Sequence, residues 1–146
     1  MENPESANPI RNVSDTALWV AVYRAMESER KDALFHDPFA RRLAGERGQA
    51  IVDAMPRGKE LAWAMIVRTA VMDELILQCI RDGATSVLNL AAGLDTRAYR
   101  LDLPASLHWY HVDFPPMVEY VKDKLTGEKP RCALEYVAAD LREPEQ

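Results

Sequence analysis

An α/β fold is predicted for this 146-residue chain: one side of a doubly wound parallel sheet, behind an N-terminal helical cap. Three observations predict it. The long periodic segment "KELAWAMIVRTAVMDELILQCIRDG" runs into a short apolar stretch, Val87-Leu88-Asn89-Leu90, that tightens around one glycine in "LNLAAGLDTRAYRL". Two more short strand patterns, "LHWYHVDF" and "ALEYVAAD", alternate with helical segments. Connections this short between alternating elements argue for parallel crossovers.

Taken in order, "MENPESANPIRN" is polar and contains proline, and reads as a loose arm over residues 1–12. The segment 13–83 reads as the helical cap. Ser14 to Thr16 offer cap groups for a first helix with apolar residues at Leu18, Val22, Ala25 and Met26. Asp37 and Pro38 restart the chain as cap and first-turn proline of a short helix that Gly45 is expected to end. Leu61, Met65, Ile66, Thr69, Met72, Leu75, Ile76, Cys79 and Ile80 give the third helix a broad apolar face, and Gly83 stops it. From residue 84 to 146 the pattern is strand, glycine turn and helix to Pro104; then a strand ending at Asp113; then a helix from Pro115 to about Leu125. A third strand ends at Asp140.

Composition excludes several functions. A net charge of −5 gives no general attraction to phosphate backbones or anionic membrane surfaces, so nucleic acid is not expected as a partner. No apolar run approaches the roughly 20 residues that cross a bilayer. Cys79 and Cys132 lack metal-like spacing and read as free thiols in a reducing compartment, which with the absence of a leader-like start implies a cytoplasmic protein.

In an open parallel sheet, ligands bind beyond the carboxyl ends of the strands. Here those ends carry Gly93, Asp113 and Asp140. A glycine loop after the first strand and an acid ending the second suit a nucleoside: bare backbone admits it, and a carboxylate accepts two ribose hydroxyls. An acid at the third strand suits the exocyclic amine of adenine. By position alone a dinucleotide fits as well, but "AAGLDTRAY" has one glycine where a pyrophosphate fingerprint needs three. A ligand with adenosine and no phosphate needs a cation for its carboxylate instead, and S-adenosylmethionine has that anatomy. Arg68, late in the helix before the first strand, is one candidate clamp; Arg24 is a second. Each residue also has a structural account: Gly93 as a turn glycine, Asp95 as a helix cap, Asp113 and Asp140 as loop-entry carboxylates, Arg68 as an idle surface charge.

The segment "VLNLAAGLDTRAYRL", with "VRTAVMDELI" before it and "YHVDFPPMVEYVK" after it, resembles the leucine carboxyl methyltransferase family. The likeness is to its bacterial branch of S-adenosylmethionine-dependent O-methyltransferases, related to polyketide methylases. "ALWVAVYRAMESERKDALFHDPFARRLAG" is similar to that branch's N-terminal region, so the resemblance covers about residues 14 to 142. It implies a Rossmann-like class I methyltransferase fold, incomplete here, acting on a hydroxyl or carboxylate of a small-molecule acceptor. By the same resemblance Arg68 binds the cofactor carboxylate and Ala91, Ala92 and Gly93 lie along its methionine part. Asp113 holds the ribose, Asp140 and Leu141 flank the adenine, and Arg24 matches a basic N-terminal position.

Family members run well beyond the third strand, so the chain is expected to be a truncated N-terminal part whose first strand has a bare edge. Such an edge invites association, including a homo-oligomer. Two rival readings remain at this level: an inactive methyltransferase-like module serving protein association, and a nicotinamide-dependent oxidoreductase.

Overall fold

A computed structural model describes residues 13–55, 57–58 and 60–143. The expected arm over residues 1–12 lies outside the described residues. Three helices come first: α1 (Val13–Ser28), α2 (Ala40–Ala54) and α3 (Ala62–Arg81). Strands and helices then alternate as β1 (Ser86–Leu90), α4 (Arg97–Arg100), β2 (His108–Asp113), α5 (Pro115–Lys124) and β3 (Ala133–Ala138). The sheet is parallel with order β1-β2-β3, and its register aligns Leu88 with Tyr110 and Glu135. This is the α/β, Rossmann-like arrangement expected from the alternating pattern.

Helix α1 buries Ala21, Val22, Tyr23 and Ala25, as its apolar spacing predicts. The expected cap residues Ser14 to Thr16 lie inside its first turn. There the carboxylate of Asp15 pairs with Arg47 of α2 at 2.7 Å. Gly45 does not end the second helix. It takes φ 59° and ψ −172° and kinks α2, which resumes and runs on to Ala54. The Tyr120 hydroxyl donates to the Leu43 carbonyl at 2.7 Å and supplies that group with a partner at the kink. Beyond it, Gly48 lies so close to α1 that a Cβ would sit 3.0 Å from the Leu18 carbonyl, and Ile51 and Val52 are buried. Packing on α1 therefore extends the helix past its breaker.

Two other boundaries differ from expectation. Helix α4 is one turn long: the chain turns extended at Leu101, and Leu101 and Leu103 are buried in the core. Strand β3 stops at Ala138, two residues before Asp140. The core joins the cap to one face of the sheet: Trp109, at 1 % exposure the central strand's main contribution, clusters with Tyr23, Leu43, Leu94, Tyr99 and Val121.

Candidate functional site

The loop after β1 is a tight turn in which two residues occupy left-handed backbone space, Ala91 at φ 50° and Gly93 at φ 55°. The Ala92 amide donates to the Val112 carbonyl at 3.1 Å, continuing the β1–β2 pairing into the loop. The Gly93 amide turns instead to the carboxylate that ends β2, donating to Asp113 Oδ2 at 2.6 Å. Asp113 Oδ1 accepts the Phe114 amide at 2.7 Å, and the Asp113 carbonyl accepts the Ala139 amide at 2.9 Å. All three strand ends are thus joined by hydrogen bonds around one buried carboxylate.

Each carboxylate has about four lone-pair sites. Two at Asp113 are used by backbone, so the group is already oriented and keeps acceptor capacity for two hydroxyls. A side chain at Gly93 would meet Ala17 of α1, whose Cβ lies 3.4 Å from the ideal Cβ position. Asp140, past the end of β3, is held by Arg142, whose Nη2 lies 2.6 Å from Oδ2 and whose backbone amide donates to Oδ1 at 3.0 Å. Those contacts from Arg142 bring the Asp140 carboxyl down to about 2. The Arg142 guanidinium also stacks over the Phe114 ring at 5.1 Å. Leu141 is half exposed beside it.

The two arginines sit differently. Arg68 lies in the first half of α3 rather than late in it, and is exposed to solvent, with no side-chain hydrogen bond or ion pair among the described residues. Arg24 is buried: its Nε bonds Asp37 Oδ2 at 2.9 Å and its Nη2 donates to the Leu94 carbonyl, in the glycine loop, at 2.5 Å. Asp37 in turn accepts the Thr96 hydroxyl at 2.6 Å and the Phe39 amide at 3.0 Å. A carboxylate read from sequence as a helix cap thus also ties α1 to the loop between β1 and α4.

A second ion cluster holds the far side of that loop. Asp73 of α3 accepts from Arg97 Nε at 2.6 Å and from both terminal nitrogens of Arg100 at 2.7 and 2.8 Å. Asp95 is not the cap the sequence suggested: helix α4 starts at Arg97 with Thr96 in the N-cap position, and Asp95, one residue earlier, accepts the Arg97 amide at 2.8 Å and Asn89 Nδ2 at 3.0 Å. Burial would raise the Asp95 carboxyl, but the Arg97 and Arg24 charges prevail and hold it below the usual carboxylate range. Beneath the loop, His111 is 2 % exposed and its Nε2 has no hydrogen-bond partner. Burial depresses its pKa against the opposing pull of Asp95, Gly93 and Asp113.

The order of strand ends located Gly93 and Asp113, whereas Asp140 lies two residues past the end of β3. Sequence reasoning missed Asp37, Thr96, Asp73 and Arg97 as loop supports. No local pattern pairs residue 37 with 96, and the one available signal was the run of charged and polar side chains in "LDTRAYR". A small apolar cleft of about 120 Å³ borders the loop between Leu18, Leu94, Pro116 and Met117.

A parallel sheet with one-directional crossovers, a glycine loop after its first strand and a carboxylate ending its second defines a Rossmann-like domain of the methyltransferase type. The chain belongs to the leucine carboxyl methyltransferase family, whose model matches residues 17–146. A Mycobacteroides abscessus protein named "Putative S-adenosyl-L-methionine-dependent methyltransferase" is 35% identical, over 95% of this chain and 48% of its own length. Similarly named proteins of Streptomyces coelicolor and Frankia alni are 37% and 34% identical, each over 88% of this chain and 49% of the relative. The chain spans about half the length of the curated relatives it matches. Family membership does not favour the oxidoreductase or the inactive-module reading.

Proposed function

We propose that this chain provides the S-adenosylmethionine-binding part of a methyltransferase, which passes the methyl group to a hydroxyl or carboxylate oxygen of a small molecule. The observation that carries the reading is the Gly93 amide bonded to the Asp113 carboxylate at the joined ends of β1 and β2. It fixes an acceptor for ribose hydroxyls next to bare backbone. When bound, the cofactor's sulfonium supplies a methyl group already activated for displacement. The chain's own task is then to hold and orient. Asp113 accepts the ribose hydroxyls with its free lone pairs, and the unpaired Arg68 guanidinium takes the amino-acid carboxylate. Ala91, Ala92 and Gly93 line the methionine part, Asp140 accepts the adenine amine, and Leu141 packs on the ring. Arg24 serves the site through the Leu94 carbonyl that it holds. The names of the relatives support the same cofactor.

The test is calorimetric titration of the chain with S-adenosylmethionine and, separately, NAD, with circular dichroism to establish folding. Binding of the first alone, lost in Asp113→Ala and weakened about tenfold or more in Arg68→Ala, is expected. A folded wild-type chain that binds NAD, or an Asp113→Ala variant that binds S-adenosylmethionine as well as wild type, overturns the assignment. Transfer of labelled methyl to alcohol and carboxylate acceptors by a preparation containing the chain tests the oxygen acceptor; transfer confined to nitrogen or carbon acceptors overturns it. A cytoplasmic location agrees with the free thiols of Cys79 and Cys132 and is checked by cell fractionation. Among the described residues no helix is long and apolar enough to cross a membrane.

A further inference from the structure

Side chains alternate along a strand, so β2 turns Trp109, His111 and Asp113 to the same buried face. The imidazole therefore lies two residues before the carboxylate that holds the Gly93 amide. On β3 the Tyr136 ring stands 5.0 Å from it, with the Tyr136 hydroxyl 2.8 Å from that of Tyr99 on α4. From α5, Lys122 lies over the same tyrosine ring at 6.0 Å. On β1 the register partner of His111 is Asn89, whose amide is spent on Asp95. The acids that bear on the imidazole are Asp95, in the glycine loop, and Asp113. Asp95 is committed to Arg97 and Asn89 and also feels the Arg24 charge. Asp113 is less so, because the Gly93 and Phe114 amides use two of its about four lone-pair sites.

His111 Nε2 is buried and has no hydrogen-bond partner among the described residues. A neutral imidazole keeps a bare lone pair on one ring nitrogen, whereas an imidazolium carries N–H on both. A cationic donor without an acceptor is strongly disfavoured in a buried site, so a protonated ring is driven to turn toward an anion. Of the two carboxylates, Asp113 has the acceptor capacity. We propose that His111 is a positioning residue for the cofactor site: while neutral it leaves the spare lone pairs of Asp113 to ribose hydroxyls, and once protonated it turns its Nε2–H to that carboxylate and takes their place. The ligand's part in this rests on the S-adenosylmethionine reading; the coupling of the ring to Asp113 does not. Burial lowers the His111 pKa below its ordinary value near 6.5, so the site is open at neutral pH and closes as pH falls through the folded value. Capture of a nucleoside becomes acid-sensitive through a residue that does not itself touch the ligand.

The test follows the His111 ring by proton NMR in the full 146-residue chain from about pH 7 downward, the resonance being assigned by its loss in His111→Gln. Without ligand, Asp113→Asn should lower the His111 midpoint by about one pH unit, because the imidazolium loses its anion. Saturating S-adenosylmethionine should lower the wild-type midpoint too, since ligand and proton oppose each other reciprocally. Calorimetry should show wild-type affinity falling by up to about tenfold for each pH unit below the free-protein midpoint. Whatever its affinity at neutral pH, His111→Gln should hold it over the same range. A His111→Gln affinity that falls in parallel with wild type overturns the proposal. So does a midpoint unmoved by Asp113→Asn, or unmoved by a cofactor that binds. A wild-type chain that unfolds by circular dichroism before the ring titrates also overturns it, because the neutral imidazole is then a requirement of folding and not of the site. A midpoint that moves in Asp113→Asn, in a folded wild-type chain that binds no S-adenosylmethionine at any pH, keeps the coupling and sinks the methyltransferase reading instead.

Discussion

Replacing Asp37 tests how the cap sets the glycine loop. The Asp37 side chain is fully buried and accepts three hydrogen bonds, from Arg24 Nε, the Thr96 hydroxyl and the Phe39 amide. Asp37→Leu leaves the Arg24 guanidinium, whose side chain is 10 % exposed, with the Leu94 carbonyl as its hydrogen-bond acceptor and only the unbonded Asp95 charge nearby. Breaking one side of a buried ion pair costs about 3–5 kcal/mol. The stranded Thr96 hydroxyl, itself 1 % exposed, adds about 1 kcal/mol or more. Within one network these costs overlap, so the expected loss is about 4 kcal/mol, a large share of the roughly 5–15 kcal/mol that holds a domain together. Arg24→Met should cost about 3 kcal/mol, and the double substitution clearly less than the sum, because two apolar groups of similar volume replace the pair without an orphaned charge. Urea unfolding followed by far-ultraviolet circular dichroism gives all four corners of the cycle. Singles costing under about 1 kcal/mol, or a double variant whose loss equals their sum, would refute the claim that the pair acts as a unit.

Gly93→Ala forces a Cβ into left-handed backbone space against Ala17, and is expected to cost about 1–2 kcal/mol and to weaken cofactor binding, read by thermal unfolding and calorimetry. Asp73→Asn removes the anion shared by Arg97 and Arg100 and should destabilise by about 3 kcal/mol in the same urea assay, with Asp82→Asn, on the exposed end of α3, as a near-neutral control. His111 has a folded-state pKa below its unfolded value near 6.5, so the stability linked to it is full above that pH and is lost as pH falls through the folded value. Thermal midpoints measured downward from pH 7 should therefore fall more steeply in wild type than in His111→Gln; parallel curves would count against a buried neutral imidazole.

What was legible in the sequence follows from the range of the forces involved. Gly93 and Asp113 could be read because each ends a short apolar run and chain order places those ends side by side. Asp95 could be read as serving the start of α4 because the amide it accepts, that of Arg97, is two residues away, but the N-cap position one residue on belongs to Thr96. Asp37 was legible only in part: its bond to Phe39 is local, whereas its bond to Thr96 spans 59 positions and exists only once α1 has docked. Gly45 misled for the complementary reason. Its backbone does break helical geometry, but burial of Gly48, Ile51 and Val52 against neighbouring elements restarts the helix beyond it. Strand β3 ended early because Asp140 turns to bond the backbone and side chain of Arg142, a partner two residues further on that competes with the ladder.

The bond from the Gly93 amide to Asp113 also bears on how fast a ligand can enter. The loop is held in its left-handed turn by the folded sheet itself, so its ordering entropy is spent during folding and none is charged at the moment of capture. On the proposed reading, a nucleoside at Asp113 would meet an acceptor that is already oriented, and its capture would need no closure of this loop. Association at such a site is set by diffusion and orientation, and differences in affinity among variants of the loop should appear in how long the ligand stays.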